Sequence, residues 1–138
     1  MGRTDDFRAK HQELLSIASQ ISDQLDASKL AEDAKQARSL LSTLAGKLGM
    51  HLAVEDRNLY PELLNHDDEN IRATAKRFID EMGGIADAFK TYVNKWPHSK
   101  TIQDNPGDFI TETKGIFNAL AARISKEDNE LYSMVDKL

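Results

Sequence analysis

Apolar residues recur three or four positions apart along four stretches of the chain, the spacing of helices that each bury one face. The first stripe is Phe7, Leu14, Ala18, Ile21 and Leu25. The second is Leu41, Leu44, Leu48 and Leu59, and the third runs Ile71, Ala75, Phe78, Met82, Ile85, Phe89, Tyr92 and Trp96. The fourth is Phe109, Ile116, Leu120, Leu131 and Met134. Long amphipathic helices with short links bury their stripes against antiparallel neighbours, which predicts an all-α, up-down-up-down four-helix bundle. A chain of 138 residues holds one such core and not two, so residues 1–138 read as a single domain. An open helical array is the alternative, but no repeat of 20–50 residues supports it.

The breaks between stripes are legible too. Thr4 is placed to cap the first helix, with Asp5 and Asp6 favourable to its dipole. Ser28 is placed to cap the second, and "NHDDEN" separates the second from the third. Pro61 should kink or end the second helix. "PHSKTIQDNPG" is the longest connection, ending in an Asn105 N-cap with Pro106 at the first helical position. His66 and His98 fall in links and read as solvated, and Trp96 reads as a plug for one bundle end.

Polar residues interrupt the stripes at matching depths. His11 lies between Phe7 and Leu14; His51 and Glu55 fill a gap in the second stripe, and Arg123 and Glu127 fill one in the fourth. Each pair is four residues apart and shares a helix face. At about 1.5 Å per residue, His11, His51, Met82 and Arg123 fall in one layer of the bundle, with Glu55 and Glu127 a turn away. The stretches "HLAVEDRNLY" and "RISKEDNELY" share E-D-x-x-L-Y, and a shift of 72 residues superposes Arg123 on His51 and Glu127 on Glu55. A shift of 71 places Met82 on His11. The chain thus reads as two copies of one helical hairpin, with Tyr60 and Tyr132 expected at the bundle edge. Two histidines and two carboxylates in one layer form a candidate site for iron, manganese or zinc. Buried carboxylates need a compensating positive charge, which a metal or an arginine supplies.

His11, "HLAVEDRNLYPEL" and the "EDNELY" of the last helix resemble the hemerythrin-like (HHE cation-binding) domain along essentially the whole chain. The resemblance implies a four-helix bundle around a non-haem di-iron centre, and His11, His51, Glu55 and Glu127 match its ligand positions. Met82 and Arg123 stand where the family places histidines on the third and fourth helices. Guanidinium has no lone pair to offer a metal. The expectation is therefore one iron ion at most, or none, with Arg123 paired to Glu127, Glu55 or both in place of the second cation.

Other classes are narrowed by composition. A net charge of −5 argues against nucleic acid or an anionic membrane as partner. The absence of cysteine excludes disulfides, iron–sulfur clusters and thiol catalysis. No apolar leader opens the sequence, and a cytoplasmic location is expected. The E-x-x-H motif of di-iron oxidases and H-E-x-x-H are both missing, so no enzyme is expected, although a two-histidine, one-carboxylate iron site leaves oxygen chemistry open. A histidine phosphotransfer bundle is disfavoured because His51 points into the stripe beside Glu55. Two readings lead: a sensor or signalling module binding a small ligand such as O2 or NO, or a metal-free bundle contacting a protein partner.

Overall fold

The computed structural model describes residues 3–138. Eight α-helices follow one another: α1 (Asp5–Ser22), α2 (Ala27–Glu32), α3 (Lys35–Asn58), α4 (Tyr60–Leu64), α5 (Glu69–Lys95), α6 (Ser99–Asp104), α7 (Pro106–Lys126) and α8 (Tyr132–Asp136). A π-helical segment, Glu127–Leu131, joins α7 to α8. No strand occurs among the described residues, and none of their helices is long and apolar enough to cross a membrane. The four long helices close a ring, α1 on α3, α3 on α5, α5 on α7 and α7 back on α1, which is the expected four-helix bundle.

Several links differ from the sequence expectation. The second bundle helix does not start at Ser28. Asp26, in extended backbone, accepts the Lys29 amide at 3.0 Å and caps the short α2 instead. Asp33 then breaks the helix with an extended backbone and accepts the Lys35 amide at 2.9 Å, so α3 begins only at Lys35. Thr4 precedes α1 but does not cap it. Its hydroxyl is drawn to Asp136, 2.9 Å from either carboxylate oxygen, which ties the start of the chain to its end. The longest connection contains α6, whose Ile102 is fully buried. Asn105 and Pro106 do open α7, although the Asn105 side chain makes no cap bond. Trp96 is buried edge-on to Phe109, 5.3 Å between ring centroids, as a bundle plug should be. His98 is exposed, whereas His66 is half-buried and its ring accepts the Asp68 amide at 3.0 Å.

The buried face is rotated by one residue in places. Ile17, Phe117 and Val135 are buried where Ala18, Ile116 and Met134 are half-exposed. In the last helix the π segment contributes to this, because the Tyr132 amide reaches five residues back to the Glu127 carbonyl. That extra residue turns Glu127, Leu131, Tyr132 and Val135 all inward. The matching stretch of α3 breaks at Leu59, two residues before Pro61, whose ring and missing N–H interrupt the helix. Glu55, Leu59, Tyr60 and Leu63 turn inward there.

The core falls into two clusters. The larger contains Leu14, Leu44, Leu48, Phe89, Phe117 and Ile124. The smaller contains Leu59, Leu63, Phe78, Leu131 and Val135, with Phe7 against it. Along the long helices the residues between them are His11, His51 and Glu55, and Glu127, which interrupt their stripes, and Met82.

Candidate metal centre

Each donor in this layer is positioned by a different element. His11 comes from α1, His51 and Glu55 from α3 one turn apart, and Glu127 from the start of the π segment. All four are buried, His11, Glu55 and Glu127 completely and His51 to 5% exposure. One nitrogen of each histidine and an oxygen of Glu55 lie within 4.8 Å of one another, so the three residues can hold a metal ion. His51 Nε2 is 2.5 Å from Glu55 Oε1, and His11 Nε2 is 3.6 Å from Glu127 Oε1.

His11 is oriented for ligation. His11 Nδ1 lies 2.8 Å from Asp128 Oδ1. Burial lowers the His11 pKa, so its ring is neutral at neutral pH. A neutral ring donating Nδ1–H to Asp128 turns the Nε2 lone pair inward, as a carboxylate behind a metal-bound histidine does. The two imidazoles meet edge-on with centroids 4.7 Å apart.

Each carboxylate has one oxygen left without a hydrogen bond. Burial raises the Glu55 carboxyl, but His51 and then Tyr132 and Glu127 outweigh it and hold Glu55 below its ordinary range. Burial and the charge on Glu55 push Glu127 up to about 10, so the pair keeps one proton at neutral pH. Glu55 Oε2 and Glu127 Oε1 are buried without a hydrogen-bond partner. Orphaned buried oxygens are costly, and a cation among them removes the cost. By this test the residues fit a metal.

Two tyrosines expected at the edge belong to this layer. Tyr132 is fully buried and donates to Glu55 Oε1 at 2.6 Å, and Tyr60 donates to Glu127 Oε2 at 3.4 Å. The repeats thus cross over, the tyrosine of each E-D-x-x-L-Y reaching the glutamate of the other. Asp128, the aspartate of the second copy, holds His11. Its counterpart Asp56 is exposed, and Met82, the counterpart of His11, has no ring nitrogen to be held. The repeated motif was the signal for both tyrosines, but their direction depends on the helix breaks after Glu55 and Glu127.

Among the described residues, the other half of the layer holds no second donor set. Met82 is 5% exposed core filling. Arg123 does not pair with Glu127 or Glu55; its Nη2 lies 2.5 Å from Glu81 on α5, and its guanidinium covers the Phe78 ring at 5.3 Å. Glu81 is partly solvated, whereas Glu127 is deeply buried and protonated. The charge of Arg123 still pulls the Glu127 pKa down, as the least of its influences.

A cleft of about 430 Å³ between α1 and α3 leads from solvent to this layer. Phe7, Leu14, Met50 and Val54 line it, and His51 is the only metal-layer donor that does.

A helical bundle with a histidine–carboxylate cluster across its middle defines a metal-binding bundle domain. The family model of the hemerythrin HHE cation-binding domain matches residues 3–135, and the chain belongs to that family. Comparison with curated proteins and with solved structures returned no match.

Proposed function

We propose that the chain is a single-ion, non-haem iron domain acting as a cytoplasmic sensor or signalling module for a small ligand such as O2 or NO, or for redox state. One observation carries this reading: the donors of one half-site converge on His11, His51 and Glu55, while Met82 and Arg123 occupy the other half. Glu127 is the fourth ligand in this reading, its orphaned Oε1 facing His11 Nε2. Iron bound there would supply an open coordination position and a redox couple. The chain's residues hold and orient it: Asp128 fixes the His11 ring, and the apolar walls around the layer exclude bulk water. The cleft at His51 admits a small molecule from the α1–α3 side. No second donor set supports a bridged pair of ions, so reversible carriage of O2 between two irons is not the reading.

The test is metal content per chain after anaerobic purification with added Fe(II), with His51→Ala alongside. One equivalent in the native protein and loss in the variant is the expected result. Two equivalents with a bridged-iron absorption band, or no metal in either protein, would overturn it.

A further inference from the structure

The Tyr132 hydroxyl stands inside the donor set rather than behind it. Its oxygen is 2.6 Å from Glu55 Oε1, 3.2 Å from His11 Nε2 and 3.5 Å from His51 Nε2. The hydroxyl has one proton, and Glu55 takes it. The remaining lone pairs of the phenol oxygen then face the inward lone pair of His11, whose other nitrogen is tied to Asp128. Lone pairs gathered this way are the arrangement a cation relieves.

The ring has nowhere to withdraw. It is completely buried, stacked on His11 at 5.1 Å and on Phe7 at 5.6 Å, with the Arg8 guanidinium over it at 5.5 Å. Protein–metal bonds to nitrogen and oxygen are about 2.0–2.2 Å. An ion bonded to both His11 Nε2 and Glu55 Oε1 therefore meets the phenol oxygen, which must either exclude it or bind it. Glu55 Oε2 and Glu127 Oε1, left without partners, argue that the layer is built to receive an ion.

We propose that Tyr132 is itself a metal ligand, through its phenolate oxygen. The inference rests on the single-ion reading and adds a fifth donor to His11, His51, Glu55 and Glu127. When the ion binds, the phenol O–H bond breaks and the oxygen keeps the electron pair. The proton is released to water, and no electron is transferred. Phenolate is a hard anionic donor of the kind that holds ferric haem iron in some enzymes. It favours Fe(III) over Fe(II), which suits a site that reports redox state.

The test loads the full chain with Fe(II) anaerobically, oxidises it in air, and records iron content, the visible spectrum and resonance Raman scattering. Native protein, Tyr132→Phe, Tyr60→Phe and His51→Ala are compared. The native protein should show a phenolate-to-Fe(III) band whose excitation enhances tyrosine ring modes. Tyr60→Phe should keep that signature. Tyr132→Phe should lose it and hold iron at least about tenfold more weakly, since even residues behind the ligands are worth that much. Native protein that binds iron through His51 without enhanced tyrosine modes overturns the inference and leaves the single-ion reading standing. So does a Tyr132→Phe protein that keeps them. Native protein with no more iron than His51→Ala overturns both. The native spectrum decides the question even where a variant folds poorly.

Discussion

Glu127→Gln should make the metal-free protein more stable and the metal-loaded protein less able to benefit from metal. Glu127 is completely buried, and its carboxyl is pushed from 4.5 up to about 10, first by burial and then by Glu55. A group whose folded pKa is raised adds its stability below the unfolded value and loses it as pH rises toward the folded one. At pH 7 the unfolded chain ionises Glu127 and the folded protein does not. At about 1.4 kcal/mol per pH unit, that difference costs the folded state about 3 kcal/mol. Glutamine has the shape of the protonated acid and carries no such cost. With about 2.1 cal/mol/K of unfolding entropy per residue, 3 kcal/mol corresponds to a rise in Tm of about 10 °C. The assay is thermal unfolding by circular dichroism, in chelator and with added Fe(II), at pH 5 and pH 7. In chelator the variant should lead at pH 7, and the gap should fall below about 1 kcal/mol at pH 5. With metal the native protein should gain more than the variant. An equal or lower Tm for the variant in chelator at pH 7, or a gap that does not shrink at pH 5, would refute the reasoning.

Three further outcomes follow from the same geometry. Met82→His combined with Arg123→His should raise bound metal from one ion per chain to two, measured by elemental analysis; a stoichiometry that stays at one counts against the half-site reading. Asp128→Ala should weaken metal binding about 10–100-fold with the fold intact, because Asp128 orients the His11 ring; unchanged affinity in a chelator competition would show that it does not. Burial alone would raise Asp136, but the Thr4 hydroxyl and amide and then Arg8 hold it below its ordinary 3.8, so its stabilising contribution is present above that pH and lost as pH falls through the lower folded value. Asp136→Asn should therefore lower Tm at pH 7 by more than at pH 3, and a difference that grows in acid would contradict this.

The bundle was readable because helical burial repeats on a fixed period, which shows wherever a stripe is long enough. The metal layer was readable for a related reason. Polar residues cannot sit in such stripes without a partner, so His11, His51, Glu55 and Glu127 stood out, and a constant rise per residue placed them at one depth. The cap at Ser28 does not form because Asp26, two residues earlier, takes the Lys29 amide, and the extended backbone at Asp33 interrupts the helix again before Lys35. The stripes pair Arg123 with Glu127, Glu55 or both, the carboxylates of its own layer. Its partner, Glu81, comes from another helix and lies outside the third stripe.

The tyrosines mark the boundary most clearly. The sequence alone determined that two E-D-x-x-L-Y copies exist, that their glutamates face inward, and that only one copy keeps a histidine ahead of its glutamate. It could not determine where Tyr60 and Tyr132 point. Each follows a buried leucine by one residue, which on a regular helix turns it about a quarter of the way round toward solvent. The π segment at Glu127–Leu131 and the break at Leu59 cancel that turn and bring both rings inside. The break at Leu59 is set locally by Pro61, whereas no proline marks the π segment ahead of Tyr132. Tertiary structure alone therefore decided that Tyr132 reaches across the bundle to Glu55 and stands among the donors.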